Sequence, residues 1–228
     1  MTHTPEQPEP STQSIRAARV LLVDDHPLVR RGLAAVIGGE DDLEVCGEAE
    51  TVLAAMQMVR TEAPDLVVTD LSLGDGNGLE LVKRLRAQDP DLKILVCSMH
   101  DERLFAQRAL GAGANGYIGK EQATAHVVEA IRHTLSGRTW LSDAMTDLAL
   151  NGALRTVAGD NGVAGLTDRE LAVFELIGRG MGPSQIALQI HLSVKTIETH
   201  REKIKRKLGL RSGAELTRRA MQWVTEQI

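Results

Sequence analysis

The 228-residue chain has only two cysteines, no secretion-type leader and no apolar run near the roughly 20 residues needed to cross a bilayer. Each absence excludes something. Cys46 and Cys97 lie inside apolar, strand-like runs and read as reduced core thiols, so a disulfide framework is ruled out. The N-terminal stretch, rich in Thr, Pro, Glu, Gln and Ser, lacks both the basic and the apolar regions of a secretory signal. Residues 1–17 are therefore expected to be a disordered extension, and the chain to be cytoplasmic with no membrane partner. The first strand-to-helix turn reads Asp24-Asp25-His26-Pro27 and holds no Gly-x-Gly-x-x-Gly, which removes a dinucleotide-binding reading.

What is present is ordinary in amount and uneven in placement. With 43% hydrophobic and 25% charged residues, the composition is that of a globular protein. The net charge of -5 is split: residues 1–155 carry 15 basic against 23 acidic side chains, and residues 156–228 carry 11 against 8. An acidic body joined to a basic tail points to a polyanion as the tail's partner.

Apolar runs at 19–23, 43–46, 66–69, 92–97 and 115–118 alternate with amphipathic stretches near 26–38, 50–61, 78–88, 102–112 and 122–136. This βα alternation predicts an α/β domain over 18–141, a doubly wound five-stranded parallel sheet with helices on both faces. The alternation stops after Leu141, and a segment ending in the Gly-rich 158–165 marks 142–165 as a linker. From 166 to 228 the patterns are helical only. Thr167 and Glu170 form a capping box, Pro183 opens a short second helix, and Ser193 caps a third that Gly209 stops. A last amphipathic helix over about 213–226 carries Leu216, Trp223 and Val224 on one face, expected to close a four-helix unit or to pair with a second copy.

Asp70 ends the buried run Asp65-Leu-Val-Val-Thr-Asp70 and so places a carboxylate at the C-terminal edge of the sheet, where such folds bind ligands. Asp24 and Asp25 follow the first strand, Ser98 the fourth and Lys120 the fifth. Three carboxylates in one place are costly without a cation, and Mg²⁺ suits hard oxygen donors of this kind. With the charge balanced, Asp70 can act as a nucleophile toward phosphorus, while Lys120 and Ser98 supply a positive charge and a hydroxyl donor to the phosphoryl oxygens.

The motifs Val20-Leu-Leu-Val-Asp-Asp-His-Pro27, Asp70-Leu-Ser-Leu-Gly-Asp-Gly-Asn-Gly78, Ser98 and Tyr117-Ile-Gly-Lys120 resemble the receiver domain of bacterial two-component response regulators. The tail, from Leu166-Thr-Asp-Arg-Glu170 through Ser193-Val-Lys-Thr-Ile-Glu-Thr-His200 to Lys207-Leu-Gly-Leu210, resembles the LuxR-type helix-turn-helix of the NarL/FixJ subfamily. The resemblance implies the flavodoxin-like strand order 2-1-3-4-5, phosphorylation of Asp70 by a sensor histidine kinase, and Mg²⁺ held by Asp24, Asp25, Asp70 and the Ser72 backbone carbonyl. It also implies that Ser98, Tyr117 and Lys120 are the switch residues. Family members usually carry Pro four residues after the acceptor, where this chain has Gly74. Gly loosens the turn but leaves every chemical group in place. His100, two residues after Ser98, is a candidate for tuning the phosphoryl lifetime.

Seven cations lie between Ser193 and Arg211. On a helix that buries Ile197, Ile204 and Leu208 they face outward, which suits a recognition helix in the major groove of double-stranded DNA. The resemblance puts Lys195, Glu198, Thr199 and Glu202 toward the bases and Arg201, Lys203, Lys205 and Arg206 toward phosphates, with a homodimer on phosphorylation. His200 is read as packing. A Mg²⁺-dependent phosphohydrolase with an aspartyl intermediate needs a second Asp two residues after the nucleophile; Ser72 stands there, so a dedicated enzyme is not expected.

Overall fold

In the computed structural model, residues 16–73, 76–150, 162–190 and 192–226 are described. Residues 1–15 of the expected N-terminal extension lie outside them; Arg16 is described and pairs with Asp65 at 3.3 Å.

The first half alternates as its hydrophobic pattern requires: β1 Ala18–Val23, α1 Pro27–Ile37, β2 Leu43–Ala49, α2 Val52–Glu62 and β3 Leu66–Thr69. A two-stranded hairpin follows, β4 Ser72–Leu73 and β5 Gly76–Asn77, then α3 Gly78–Gln88, β6 Lys93–Ser98, α4 Glu102–Ala112, β7 Gly116–Gly119 and α5 Lys120–Leu135. The five long strands pair in parallel in the order β2-β1-β3-β6-β7. Leaving the hairpin aside, this is the order 2-1-3-4-5 that the sequence resemblance implied. Register slips by one residue opposite Cys46, where Val20 pairs with Val45 but Leu21 with Gly47.

The central strands β1, β3 and β6 are apolar on both faces because both faces are covered. Val20, Leu22, Val68 and Leu95 pack under α1 and α5 against Leu33, Ile37, Val127 and Ile131. Leu21, Val67, Ile94 and Val96 pack on the other side with Val59, Leu81, Leu85 and Phe105. Cys97 is buried and Cys46 half-buried, on strands that are not neighbours, and both are free thiols.

In the segment expected as a linker, 142–165, the described residues carry regular structure. Its first part forms α6, Asp143–Leu150, and a 3₁₀ turn closes it at Val163–Gly165, while 151–161 fall outside the described residues. Two anchors account for α6: the Met145 amide donates to Ser142 Oγ (3.3 Å), and the Met145 side chain is buried.

The tail folds as α7 Asp168–Gly178, α8 Pro183–Gln189, α9 Val194–Leu208 and α10 Gly213–Glu226. Thr167 and Glu170 close the capping box that the sequence announces, and Gly209 stops α9 in the left-handed conformation, φ 67°. Leu216 and Trp223 are buried against α7, with the Trp223 and Phe174 rings 5.5 Å apart. The face expected to close the unit or to pair with another copy is thus spent on the domain's own core. The two halves touch through α7: Arg108 of α4 reaches Asp168 at 2.7 Å and the Leu166 carbonyl at 3.3 Å.

Candidate functional site

The C-terminal edge of the sheet brings together the side chains that its strand ends carry. Asp24 and Asp70 are buried, Lys120 is nearly so, and its ammonium lies between them, 2.6 Å from Asp24 Oδ2 and 2.7 Å from Asp70 Oδ2. Burial works against the charged ammonium, but the fields and hydrogen bonds of Asp70 and Asp24 prevail and raise its pKa. The other oxygens are also committed. Asp70 Oδ1 accepts from the Leu71 amide at 2.6 Å, and Asp24 Oδ1 from the His26 amide at 2.8 Å.

Asp24, Asp25, His26 and Asp70 each offer a ligand atom within 4.8 Å of the others. The His26 ring reaches Asp25 Oδ1 at 2.8 Å through Nδ1. Three carboxylates held this closely, with a lysine ammonium sharing two of them, fit a hard divalent cation. Gly78 makes the loop after Asp70 feasible: a Cβ there would lie 2.1 Å from the Asp70 carbonyl oxygen. Its amide instead donates to the Leu71 carbonyl at 2.9 Å.

Ser98 ends β6, buried, and its hydroxyl accepts from the His100 amide at 3.3 Å. Tyr117 points inward and donates to the His100 carbonyl at 2.7 Å, and burial pushes its hydroxyl pKa well up. The Ser72 hydroxyl lies 3.1 Å from His100 Nε2, so His100 is tied to the Asp70 loop and to Tyr117 at once.

Two residues that sequence reasoning passed over shape this edge. Arg30 is buried in α1 and holds the Asp24 carbonyl at 2.6 Å, Glu48 at 2.8 Å and Glu50 at 2.6 Å. It therefore fixes the backbone that carries the acidic pair. The signal was present: Arg30 occupies the same helical stripe as Leu33 and Ile37, an odd place for a guanidinium. Glu175 of α7 is the other, buried and 3.5 Å from His100 Nδ1; no local pattern announces it.

On α9, Lys195, Glu198, Thr199, Glu202, Lys203 and Arg206 are exposed, while Arg201 and Lys205 are half-buried. The last two pair with neighbours on the same helix, Arg201 with Glu198 at 3.4 Å and Lys205 with Glu202 at 2.8 Å. Lys207 is exposed too, but its partners lie off its own helix. It turns to Glu170 at 2.6 Å and to the Gly165 carbonyl at 3.2 Å, stapling α9 to the start of α7. His200 is half-buried, as its packing role requires, and burial together with Arg169 and Lys203 lowers its pKa.

Residues 20–132 match the response regulator receiver domain, and residues 164–220 match the bacterial regulatory proteins of the luxR family. The transcriptional activator protein ExaE of Pseudomonas putida is 38% identical over 89% of this chain and 95% of its own length. The DNA-binding transcriptional activator DevR/DosR of Mycobacterium tuberculosis is 36% identical over 84% of this chain and 88% of its own. Among solved structures, a LuxR-family two-component response regulator from Aurantimonas is 36% identical, with TM-score 0.57, over 60% of this chain and 99% of that one. Receiver in front, LuxR-type DNA-binding domain behind, and relatives that match both along nearly their whole length: the chain belongs to the LuxR-type response regulators, the transcriptional regulators of two-component systems.

Proposed function

We propose that Asp70 is the phosphoacceptor, charged by a sensor histidine kinase, and that its phosphorylation controls binding of α9 to double-stranded DNA. The observation that carries this reading is the Lys120 ammonium shared by Asp24 and Asp70 at 2.6 and 2.7 Å, at the sheet edge where ligands of such folds bind. A lysine there balances charge in the resting site and is in reach of phosphoryl oxygens on Asp70. Asp24, Asp25, Asp70 and the Ser72 carbonyl are the residues that would hold Mg²⁺, which when bound offsets charge building up on the phosphoryl oxygens. Ser98 and Tyr117 respond to the phosphoryl group by rearrangement, and His100 carries that change outward, since its amide, carbonyl and ring touch Ser98, Tyr117 and Ser72.

In the tail, Lys195, Glu198, Thr199 and Glu202 face the bases. Arg201, Lys203, Lys205 and Arg206 meet phosphates; for Arg201 and Lys205 this means exchanging an intrahelical carboxylate for a phosphate. The phosphorylated chain works as a homodimer on paired half-sites. It accepts phosphate without being a dedicated enzyme, acts in the cytoplasm and has no membrane partner; among the described residues no helix is long and apolar enough to cross a membrane. As for domain limits, the reading keeps 18–141 as receiver and 166–228 as DNA-binding domain, with α6 inside the 142–165 connection.

The test is titration of labelled duplex DNA at fixed salt with wild type and Asp70→Asn, each with and without Mg²⁺ and a small acyl phosphate. The donor is expected to tighten binding by wild type alone. An equal response of the two proteins, or none, contradicts the reading.

A further inference from the structure

β1 ends at Val23, opposite Ala49 of β2 and Thr69 of β3, and Asp24 is the first residue beyond the strand. Its amide still donates to the Ala49 carbonyl at 3.0 Å, but its own carbonyl lies past the ladder on a buried residue. A buried carbonyl needs a donor. Arg30 Nη1, from the fourth residue of α1, supplies one at 2.6 Å.

The other guanidinium nitrogens turn toward the surface. Nε donates to Glu48 at 2.8 Å and Nη2 to Glu50 at 2.6 Å, carboxylates whose side chains are 40% and 61% exposed. Ion pairs that open to water contribute little by themselves. Here they match the positive charge and hold the planar fork in one orientation, which leaves the buried bond to Asp24 as the one that acts on the site. That bond reaches further than Asp24. The Asp24 carbonyl and the Asp25 amide belong to one planar peptide, so a donor that fixes the first sets the direction in which the second leaves. Asp24 and Asp25 supply two of the three carboxylates that meet, with His26, within 4.8 Å.

We propose that Arg30 is a positioning residue for the Mg²⁺ site: its guanidinium, braced by Glu48 and Glu50, holds the 24–25 peptide so that both carboxylates meet the ion, and thereby sets the affinity for it. The inference rests on the reading of Asp24, Asp25 and Asp70 as residues that hold Mg²⁺. Position and charge pull in opposite directions here. A guanidinium close to a cation site repels the ion, so charge alone predicts that losing Arg30 tightens binding. A fork that holds the ligands in place predicts the reverse, since groups that orient metal ligands typically change affinity by about 10- to 100-fold.

The experiment titrates the full chain with MgCl₂ by isothermal calorimetry, and separately follows its mass gain with acetyl phosphate across a series of Mg²⁺ concentrations. Wild type is compared with Arg30→Lys, which keeps the charge and loses the fork, and with Arg30→Met, which loses both and keeps an unbranched stem. Each variant is expected to bind Mg²⁺ about tenfold more weakly and to need about tenfold more for half-maximal labelling, with most of the rate recovered at saturation. Wild-type affinity in Arg30→Lys, or an affinity in Arg30→Met equal to or tighter than that of wild type, overturns the role of the fork. A labelling rate that stays low at saturating Mg²⁺ makes Arg30 a support of the fold at large and overturns it too. Absence of Mg²⁺ binding by wild type overturns the metal reading, and the inference with it.

Discussion

Lys120 donates to Asp70 across fifty residues of sequence, Nζ to Oδ2 at 2.7 Å. Asp70 is buried and Lys120 nearly so, and Asp24 shares the same ammonium, so the contact is an ion triad largely withdrawn from water. Breaking one partner of a buried ion pair strands the others, at a cost of about 3 to 5 kcal/mol. Lys120→Ala is expected to lower stability by about 3 kcal/mol in metal-free buffer, and added Mg²⁺ to restore part of it. Thermal unfolding with and without Mg²⁺ checks this: the metal should raise the melting temperature of the variant more than that of wild type. An equal rise in both would mean that the ammonium does not stand in for a cation.

Gly78→Ala is expected to destabilise the receiver by about 3 kcal/mol, at the upper end of overpacking costs, because its Cβ would sit 2.1 Å from the Asp70 carbonyl oxygen and 2.6 Å from Leu71 Cα. Both clashing atoms are backbone, so no rotamer change relieves them, and the Asp70 loop must move. Urea unfolding measures the loss; a midpoint equal to that of wild type rules out the close approach.

Glu170 ties α7 to α9 through the capping box and Lys207. Burial alone would raise its pKa, but the hydrogen bonds from Lys207 and Thr167 outweigh it, and the value is lowered. A folded pKa below the unfolded one makes this contribution fully present above the ordinary carboxylate range and lost as pH falls through the folded value. Glu170→Gln is expected to cost about 2 kcal/mol near neutral pH, typical of a hydrogen bond to a charged group. Chemical denaturation at a series of pH values should show the two proteins converging in acid. A gap that stays constant down to the lowest pH would contradict the assignment.

Burial pushes the Cys97 thiol up to about 12, while Cys46 is half-buried and its thiol only raised. In the native protein a maleimide is expected to modify Cys46 slowly and Cys97 only once the chain unfolds. Peptide mapping after timed labelling checks the order, and early modification of Cys97 would show that the sheet opens near Ser98.

Lys203 is exposed on α9. Lys203→Ala is expected to weaken duplex binding evenly across sequences and to reduce the slope of log K against log salt by about 1. Binding measured over a range of salt gives the slope. An unchanged slope, or a change confined to one sequence, would take Lys203 away from the backbone.

What the sequence displayed and what it hid follow from range. The strand ends that present Asp24, Asp70, Ser98 and Lys120 were legible because period and turn signals are local, and parallel topology does the rest. The capping box of Thr167 and the stop at Gly209 are local too. Lys207 is exposed as helical periodicity expects, but periodicity ranks faces and is blind to its partner Glu170, 37 residues earlier. The α6 helix was hidden by the glycines that follow it, although Met145 supplies the packing that orders it. The contact between Glu175 and His100 was illegible altogether, since it joins two domains whose patterns are each complete alone. Arg30 was legible and overlooked: a guanidinium in a buried stripe asks for partners, and Asp24, Glu48 and Glu50 supply them.

The most direct test of Asp70 as the point of control is the intact mass of wild type and Asp70→Asn after incubation with Mg²⁺ and acetyl phosphate. A single phosphate-sized gain in wild type, absent from Asp70→Asn and lost when Mg²⁺ is chelated beforehand, is the expected result. An equal gain in both proteins would move the phosphate to another residue, and no gain in either would leave the triad of Asp24, Asp70 and Lys120 as a structural ion cluster.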